Sequence, residues 1–224
     1  VICLALTMQF ASGCGTTESA QSTQENATTI EETFDFAAVP AYDGKAYVAV
    51  NDNVPFFTEE ELSSASYETY GELDPLGRCT VCVASVGQDL MPAEERGHIG
   101  AVKPTGWHTV KYDFVDGKYL YNRCHLIGYQ LTGENANEKN LITGTRYLNI
   151  EGMLPFENMV ADYVKETDQH VMYRVTPVFE GDNLLAAGVL MEGKSVEDNG
   201  EGVLFCIFAY NVQPGVSIDY ATGE

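Results

Sequence analysis

From Ala38 onward, apolar and polar positions alternate in short runs separated by turn residues, and one longer segment changes to a helical period. Tyr47 to Val50 and Cys79 to Val86 read as strands. Trp107 to Val115 alternates, with Val110, Tyr112 and Phe114 set against Thr109, Lys111 and Asp113, and runs through Asp116-Gly117 into Lys118 to Cys124. An Asp-Gly pair between alternating runs predicts a hairpin. His170 to Glu180 and Leu184 to Met191 flank Gly181-Asp182-Asn183, and Val203 to Val212 follows, which predicts an antiparallel meander. Before the meander, Asn149 to Thr167 carries Met153, Phe156, Met159, Val160 and Tyr163 at mostly helical spacing, with Pro155 placed to start a helix or kink one. The pattern predicts an α+β fold, an antiparallel central sheet flanked by helices.

The first residues depart from this pattern. Val1 to Ala11 is apolar and too short to span a bilayer, and it leads into Ser12-Gly13-Cys14 like a secretory leader. The small residues before Cys14 fit a bacterial lipoprotein cleavage box, except that Ala11 stands where Leu is usual. Residues 1–14 are therefore expected to be a leader, with a lipid anchor at Cys14 if processed that way and simple secretion as the alternative. Residues 15–37 are rich in Ser, Thr, Gln and Glu and predict a flexible acidic tether, because such a segment buries too little surface to offset its ordering entropy. Residues 38–224 form the expected folded domain, at the surface of a bacterium or outside it.

Charge sharpens the picture. The 224 residues carry 33 acidic and 12 basic side chains, a formal charge of −21, so the chain as a whole repels polyanions. Yet between Arg96 and Arg146 there are seven basic and four acidic side chains, so that any phosphate-binding role is expected there. The Cys79-x-x-Cys82 pair lacks a second pair to complete a zinc site, which leaves structural or disulfide-bonded cysteines.

Candidate chemistry falls in the same stretch. The second limb of the predicted hairpin ends at Asn122-Arg123-Cys124-His125, followed by Asn140, Asn149 and Glu157. A histidine at a strand end is commonly a satisfied structural residue; the ordered Arg, His, Asn, Asn and Glu make a site the better reading. NRCHLIGYQLTG, NEKNLITGTRYLN and GMLPFEN together resemble the DNA/RNA non-specific endonuclease family, the ββα-metal or His-Me finger nucleases, and look similar to the streptococcal-type secreted DNases within it. The resemblance covers Tyr47 to Gly223. The family signature Asp-Arg-Gly-His stands here as Asn122-Arg123-Cys124-His125. Glu95-Arg96-Gly97-His98 matches it better by letter, but His98 lies 42 residues before Asn140 whereas His125 lies 15, and His98 lacks the preceding hairpin.

The resemblance implies a ββα-metal nuclease fold and an exported, Mg²⁺-dependent endonuclease, with Mn²⁺ as a substitute. It would cut DNA without sequence specificity, leaving 5′-phosphate ends, with cleavage of RNA and a preference for DNA both left open. It implies His125 as the general base, Arg123 beside the scissile phosphate, Asn149 as the metal ligand, Glu157 reaching the metal through water, and Asn140 supporting the site's loop. An Arg found in some members four residues after the Glu is Ala161 here, which makes Arg146 and Arg96 candidates for the missing phosphate contact. Residue chemistry agrees: an imidazole suits a base working near neutral pH, and amide and carboxylate oxygens suit a hard cation. Two other readings stand beside it. One is a catalytically inactive surface lipoprotein or binding module on a nuclease-like scaffold. The other is a cysteine hydrolase using Cys124 or Cys82, disfavoured because adjacent Cys124 and His125 on a strand point to opposite faces.

Overall fold

A computed structural model describes residues 34–224. The expected leader and all but the end of the expected tether, residues 1–33, lie outside the described residues. Chain packing begins ahead of the expected boundary at Ala38: the Phe34 and Phe36 rings sit 6.1 and 5.4 Å from that of Phe208, so the last residues assigned to the tether already rest on the domain. Among the described residues no helix is long and apolar enough to cross a membrane.

Strands β1 (Tyr47–Ala49), β2 (Tyr67–Tyr70) and β3 (Cys82–Val86) precede a separate pair, β4 (Tyr121–His125) and β5 (Leu141–Thr145), with the short helix α1 (Tyr129–Thr132) between them. A π-turn over Leu148–Met153 leads into α2 (Leu154–Thr167), and β6 (Val171–Val178), β7 (Gly188–Ser195) and β8 (Leu204–Tyr210) complete the chain. The main sheet runs β1-β8-β7-β6-β3-β2, antiparallel at every junction, so β6 to β8 form the expected meander. β7 starts four residues later than Leu184, because Leu184 and Leu185 belong to the connecting loop, where Leu185 N–H bonds to Tyr220 O.

α2 covers one face of this sheet. Phe156, Val160 and Val164 recur every fourth residue, are buried, and pack with Tyr173, Val175, Met191 and Phe205. Met159, which shares the helical period, instead faces solvent. Across the outer face, Arg174 of β6 and the buried Glu192 of β7 are register partners joined by two hydrogen bonds of 2.6 and 2.9 Å. Glu61 and the Phe56 N–H complete the cluster, so residues 56–61 are tied over the central strands.

Two expectations change. The Asp116-Gly117 turn exists, with Gly117 and Lys118 both at φ +67°, but it closes only an irregular loop. Its limbs meet at the Lys111–Tyr119 bridge and through the Tyr112–Lys118 and Val110–Leu120 hydrogen bonds, since Val115 folds inward and is buried. The ladder partner of β4 is β5, with Arg123 opposite Thr143 and His125 opposite Leu141. The helix also departs from an even 3.6-residue turn. Leu154 N–H reaches back five residues to Asn149 O, and Pro155, with no N–H to give to residue 151, falls where the ladder changes step. Pro155 therefore sits in the first turn of α2, and the angle between Asn149 and Glu157 is set partly by a wider turn than an α-helix has.

Candidate active site

β4, β5 and α2 bring the end of one strand against the start of one helix, and Asn140 secures the connection. Its side-chain Oδ1 accepts from Ile127 N–H at 2.8 Å, its Nδ2 donates to Ile127 O at 3.0 Å, and its own carbonyl accepts from Leu126 N–H at 2.9 Å. Both Asn140 and Ile127 are fully buried. Asn140→Ala is expected to cost about 2 to 4 kcal/mol, because two backbone groups of Ile127 lose their partners out of reach of water; urea unfolding monitored by circular dichroism checks this. Gly128, next along the chain, lets the helix approach. A Cβ there would lie 2.6 Å from Glu157 Oε2 and 2.8 Å from its carboxyl carbon, so no other residue leaves the carboxylate its place.

These elements wall a cleft of about 840 Å³. His125, Asn149, Glu157, Arg123, Arg146 and Arg96 all line it, so six of the seven sequence-predicted residues converge there, and Asn140 sits behind the wall. His98 is exposed and does not line the cleft.

Hydrogen bonding fixes which atoms are available. His125 Nε2 is 2.8 Å from the Asn135 carbonyl oxygen, which can only accept, so Nε2 carries the proton and Nδ1 presents a lone pair. That lone pair accepts from Arg96 Nη2 at 3.1 Å. Burial pushes the His125 pKa down to about 4; the Asn135 carbonyl opposes this and the Arg96 charge adds to it, so the imidazole is neutral at pH 7. A second chain settles Asn149. Arg146 Nη1 can only donate, so the atom of Asn122 it meets at 3.3 Å is oxygen. The Asn149 group 3.3 Å from that same oxygen must then be its Nδ2 amide, which leaves Asn149 Oδ1 with no hydrogen bond from the described residues. Burial raises the Glu157 pKa to about 7, against the pull of a Gln130 hydrogen bond and the Arg96 charge.

The cations divide sharply. Lys45, Lys118, Lys139 and Lys194, with Arg78, Arg146 and Arg174, each have a carboxylate partner. Arg96, Lys103, Lys111, Arg123 and Lys165 have none among the described residues; of these, Arg96 and Arg123 line the cleft, and Lys111 lies on the ring of Tyr119, which lines it too. In a chain of −21 this is where an anion meets unneutralised positive charge. Arg123 is held by neutral groups: its guanidinium donates to the carbonyls of Val102 and, at 3.0 Å, Gly100, and lies 3.9 Å from the centre of the Trp107 ring. Arg146 is anchored on Asp116 at 2.7 Å. Ala161 is buried in the core, so nothing from that position reaches the cleft.

The Asn122 relay, the Asn135 acceptor and Gly128 were not singled out from the sequence. Asn122 occupies the first place of the signature, which was the available signal; a backbone carbonyl such as that of Asn135 leaves none. Cys79, Cys82, Cys124 and Cys206 are buried free thiols rather than disulfides, and no group of three metal-ligating His, Cys, Asp or Glu occurs among the described residues. Cys124 points from β4 into the core, and its pKa is raised by burial, the opposite of what a thiolate nucleophile needs.

A family model described as DNA/RNA non-specific endonuclease matches residues 59–197. A curated deoxyribonuclease from Streptococcus dysgalactiae subsp. equisimilis is 32% identical over 111 residues, 47% of this chain; the match spans 32% of that protein's length. The structure resembles that of NucA from Streptococcus agalactiae with magnesium ion bound, at TM-score 0.70 and 25% identity over 79% of this chain and 84% of that one. It also resembles the Sda1 nuclease with bound zinc ion, at TM-score 0.66 and 23% identity over 80% and 95% of the two chains, a likeness of fold.

Proposed function

The chain belongs to the DNA/RNA non-specific endonuclease family, and we propose that it is an exported, Mg²⁺-dependent endonuclease that hydrolyses DNA without sequence specificity. The observation that carries this reading is the pair of hydrogen-bond chains that leaves one basic nitrogen, His125 Nδ1, and one hard oxygen, Asn149 Oδ1, facing a single cation-rich cleft.

His125 acts as the general base. Its Nδ1 takes a proton from the water that attacks phosphorus, and the Asn135 carbonyl, bonded to Nε2–H, steadies the imidazolium that results. The P–O3′ bond breaks and the departing 3′ oxygen takes a proton from solvent water, leaving a 5′-phosphate and a 3′-hydroxyl. Before this, Arg96 must leave Nδ1. A phosphate oxygen is a charged acceptor and outbids a neutral imidazole for a guanidinium, so substrate binding both engages Arg96 and exposes the base. Arg123 holds the 100–102 loop against β4 and contributes charge to the wall.

The donor set fits a hard divalent cation, being an unbonded amide oxygen and a half-buried carboxylate with no thiolate facing the cleft. Asn149 would hold Mg²⁺ directly and Glu157 through water, with Mn²⁺ as a substitute. When bound, the ion supplies Lewis-acid neutralisation of charge on the phosphate and the departing oxygen.

Incubation of supercoiled plasmid with the protein tests the reading. Nicking and linearisation are expected with Mg²⁺ and not with excess EDTA. A plasmid left intact across Mg²⁺, Mn²⁺ and low salt would make the inactive binding module the working description.

A further inference from the structure

One wall of the cleft is made of groups that the chemistry above does not use. Tyr119 lines the cleft, yet 47% of it is open to solvent. Lys111 is its register partner across the isolated bridge, and the Lys111 ammonium stands 4.4 Å from the centre of the Tyr119 ring. That ammonium has no carboxylate partner among the described residues, although Lys118 in the same loop is paired with Asp113 at 3.1 Å. Trp107, the chain's single tryptophan, lines the same cleft with Arg123 against its ring.

We propose that Tyr119, backed by Lys111, forms a stacking subsite for an unpaired nucleobase of the DNA strand lying in the cleft, an inference that rests on the nuclease reading above. Charge and shape agree on the occupant. A nucleotide carries a flat apolar face and a phosphate, and this wall presents an open aromatic ring beside an unneutralised ammonium. Stacking of this kind is indifferent to sequence, because every base has a π-face. It also selects for unpaired strands, since a base inside a duplex already has both faces covered. The bland alternative is a cross-strand cation–π pair that merely firms the loop.

Trp107 supplies a reporter within the cleft. The whole chain in EDTA, so that no strand is cut, is titrated while tryptophan fluorescence is read, once with an eight-nucleotide oligothymidylate and once with an abasic sugar-phosphate strand of equal length. Wild type is expected to bind the thymidylate about five- to tenfold more tightly than the abasic strand. Tyr119→Ala should erase that preference by weakening thymidylate binding alone, and Tyr119→Phe should keep it, because stacking needs the ring and not the hydroxyl. Equal affinity of wild type for the two strands, or an equal loss of both in Tyr119→Ala, would overturn the subsite and leave the nuclease reading standing. If neither strand binds, the subsite falls, while the nuclease reading stands or falls by plasmid cutting with Mg²⁺.

Discussion

His125→Ala is expected to lower the rate of phosphodiester cleavage by about 10²- to 10⁴-fold, the usual contribution of a positioned general base, while His98→Ala, which alters an exposed side chain outside the cleft, leaves the rate within twofold. Plasmid nicking rates for the two variants side by side make the measurement, and equal losses would remove His125 from its role. The pH dependence gives a finer check. A base works in its neutral form, and His125 with its pKa near 4 stays neutral down to that pH. Activity limited by His125 alone should therefore fall only as pH drops through about 4. An acid limb at higher pH belongs to another group, and Glu157 is the one with a pKa near 7. The two can be separated by metal concentration. A limb from Glu157 moves to lower pH as Mg²⁺ is raised, because a cation favours the carboxylate, whereas the His125 limb does not depend on the ion in that way.

Glu157→Gln should pull activity and stability in opposite directions. Loss of the carboxylate is expected to reduce metal affinity or activity about 10- to 100-fold, as removal of an outer ligand-orienting group does. Stability changes with the other sign. The folded pKa of Glu157 lies above its ordinary value of 4.5, so the folded state keeps a proton that the unfolded chain releases as pH rises from about 4.5 to about 7. The wild type loses stability across that window, and above it the loss is complete, about 2 kcal/mol once partial contact with water is allowed for. Gln has no proton to lose. In EDTA at pH 8 the variant is therefore expected to melt about 5 °C above wild type, and at pH 4 the two should melt together. Added Mg²⁺ should narrow the gap at pH 8 by stabilising wild type. A variant that melts below wild type at pH 8 would show that the carboxylate is not strained by its burial.

Much of this was legible in the sequence, for reasons that differ by element. The meander could be read because β6 to β8 are joined by short connections and carry the hydrophobic runs of a sheet covered by α2. That His125, Asn149 and Glu157 belong together could be read from their order through the family resemblance, and the structure brings all three to one cleft. The partner of β4 could not. Leu141–Thr145 is buried at all five positions, so it lacks the alternation of a half-exposed strand, and nothing local says that it meets a strand nearly twenty residues earlier. The Asp116-Gly117 pair was a true turn signal attached to a false ladder, because inward folding of Val115 is decided by packing. Arg123 was readable as a residue near the site but not as one spent on the Gly100 and Val102 carbonyls, since backbone acceptors leave no mark on composition. The same holds for Asn135, whose carbonyl decides which nitrogen of His125 carries the proton.

The π-turn before α2 bears on how relatives of this chain should be compared. A turn closed over five residues holds one more than an α-helical turn, so residues 148–153 are in effect a single-residue insertion inside a helical segment. Removing one residue there would let the segment run as plain α-helix and swing Asn149 by about 100° relative to Glu157. Their separation of eight positions is thus a matter of chain length as much as of side-chain identity. An alignment that admits gaps only in loops would set one of the two out of register in any relative lacking the extra residue, and would report the loss of a site that had only shifted by one.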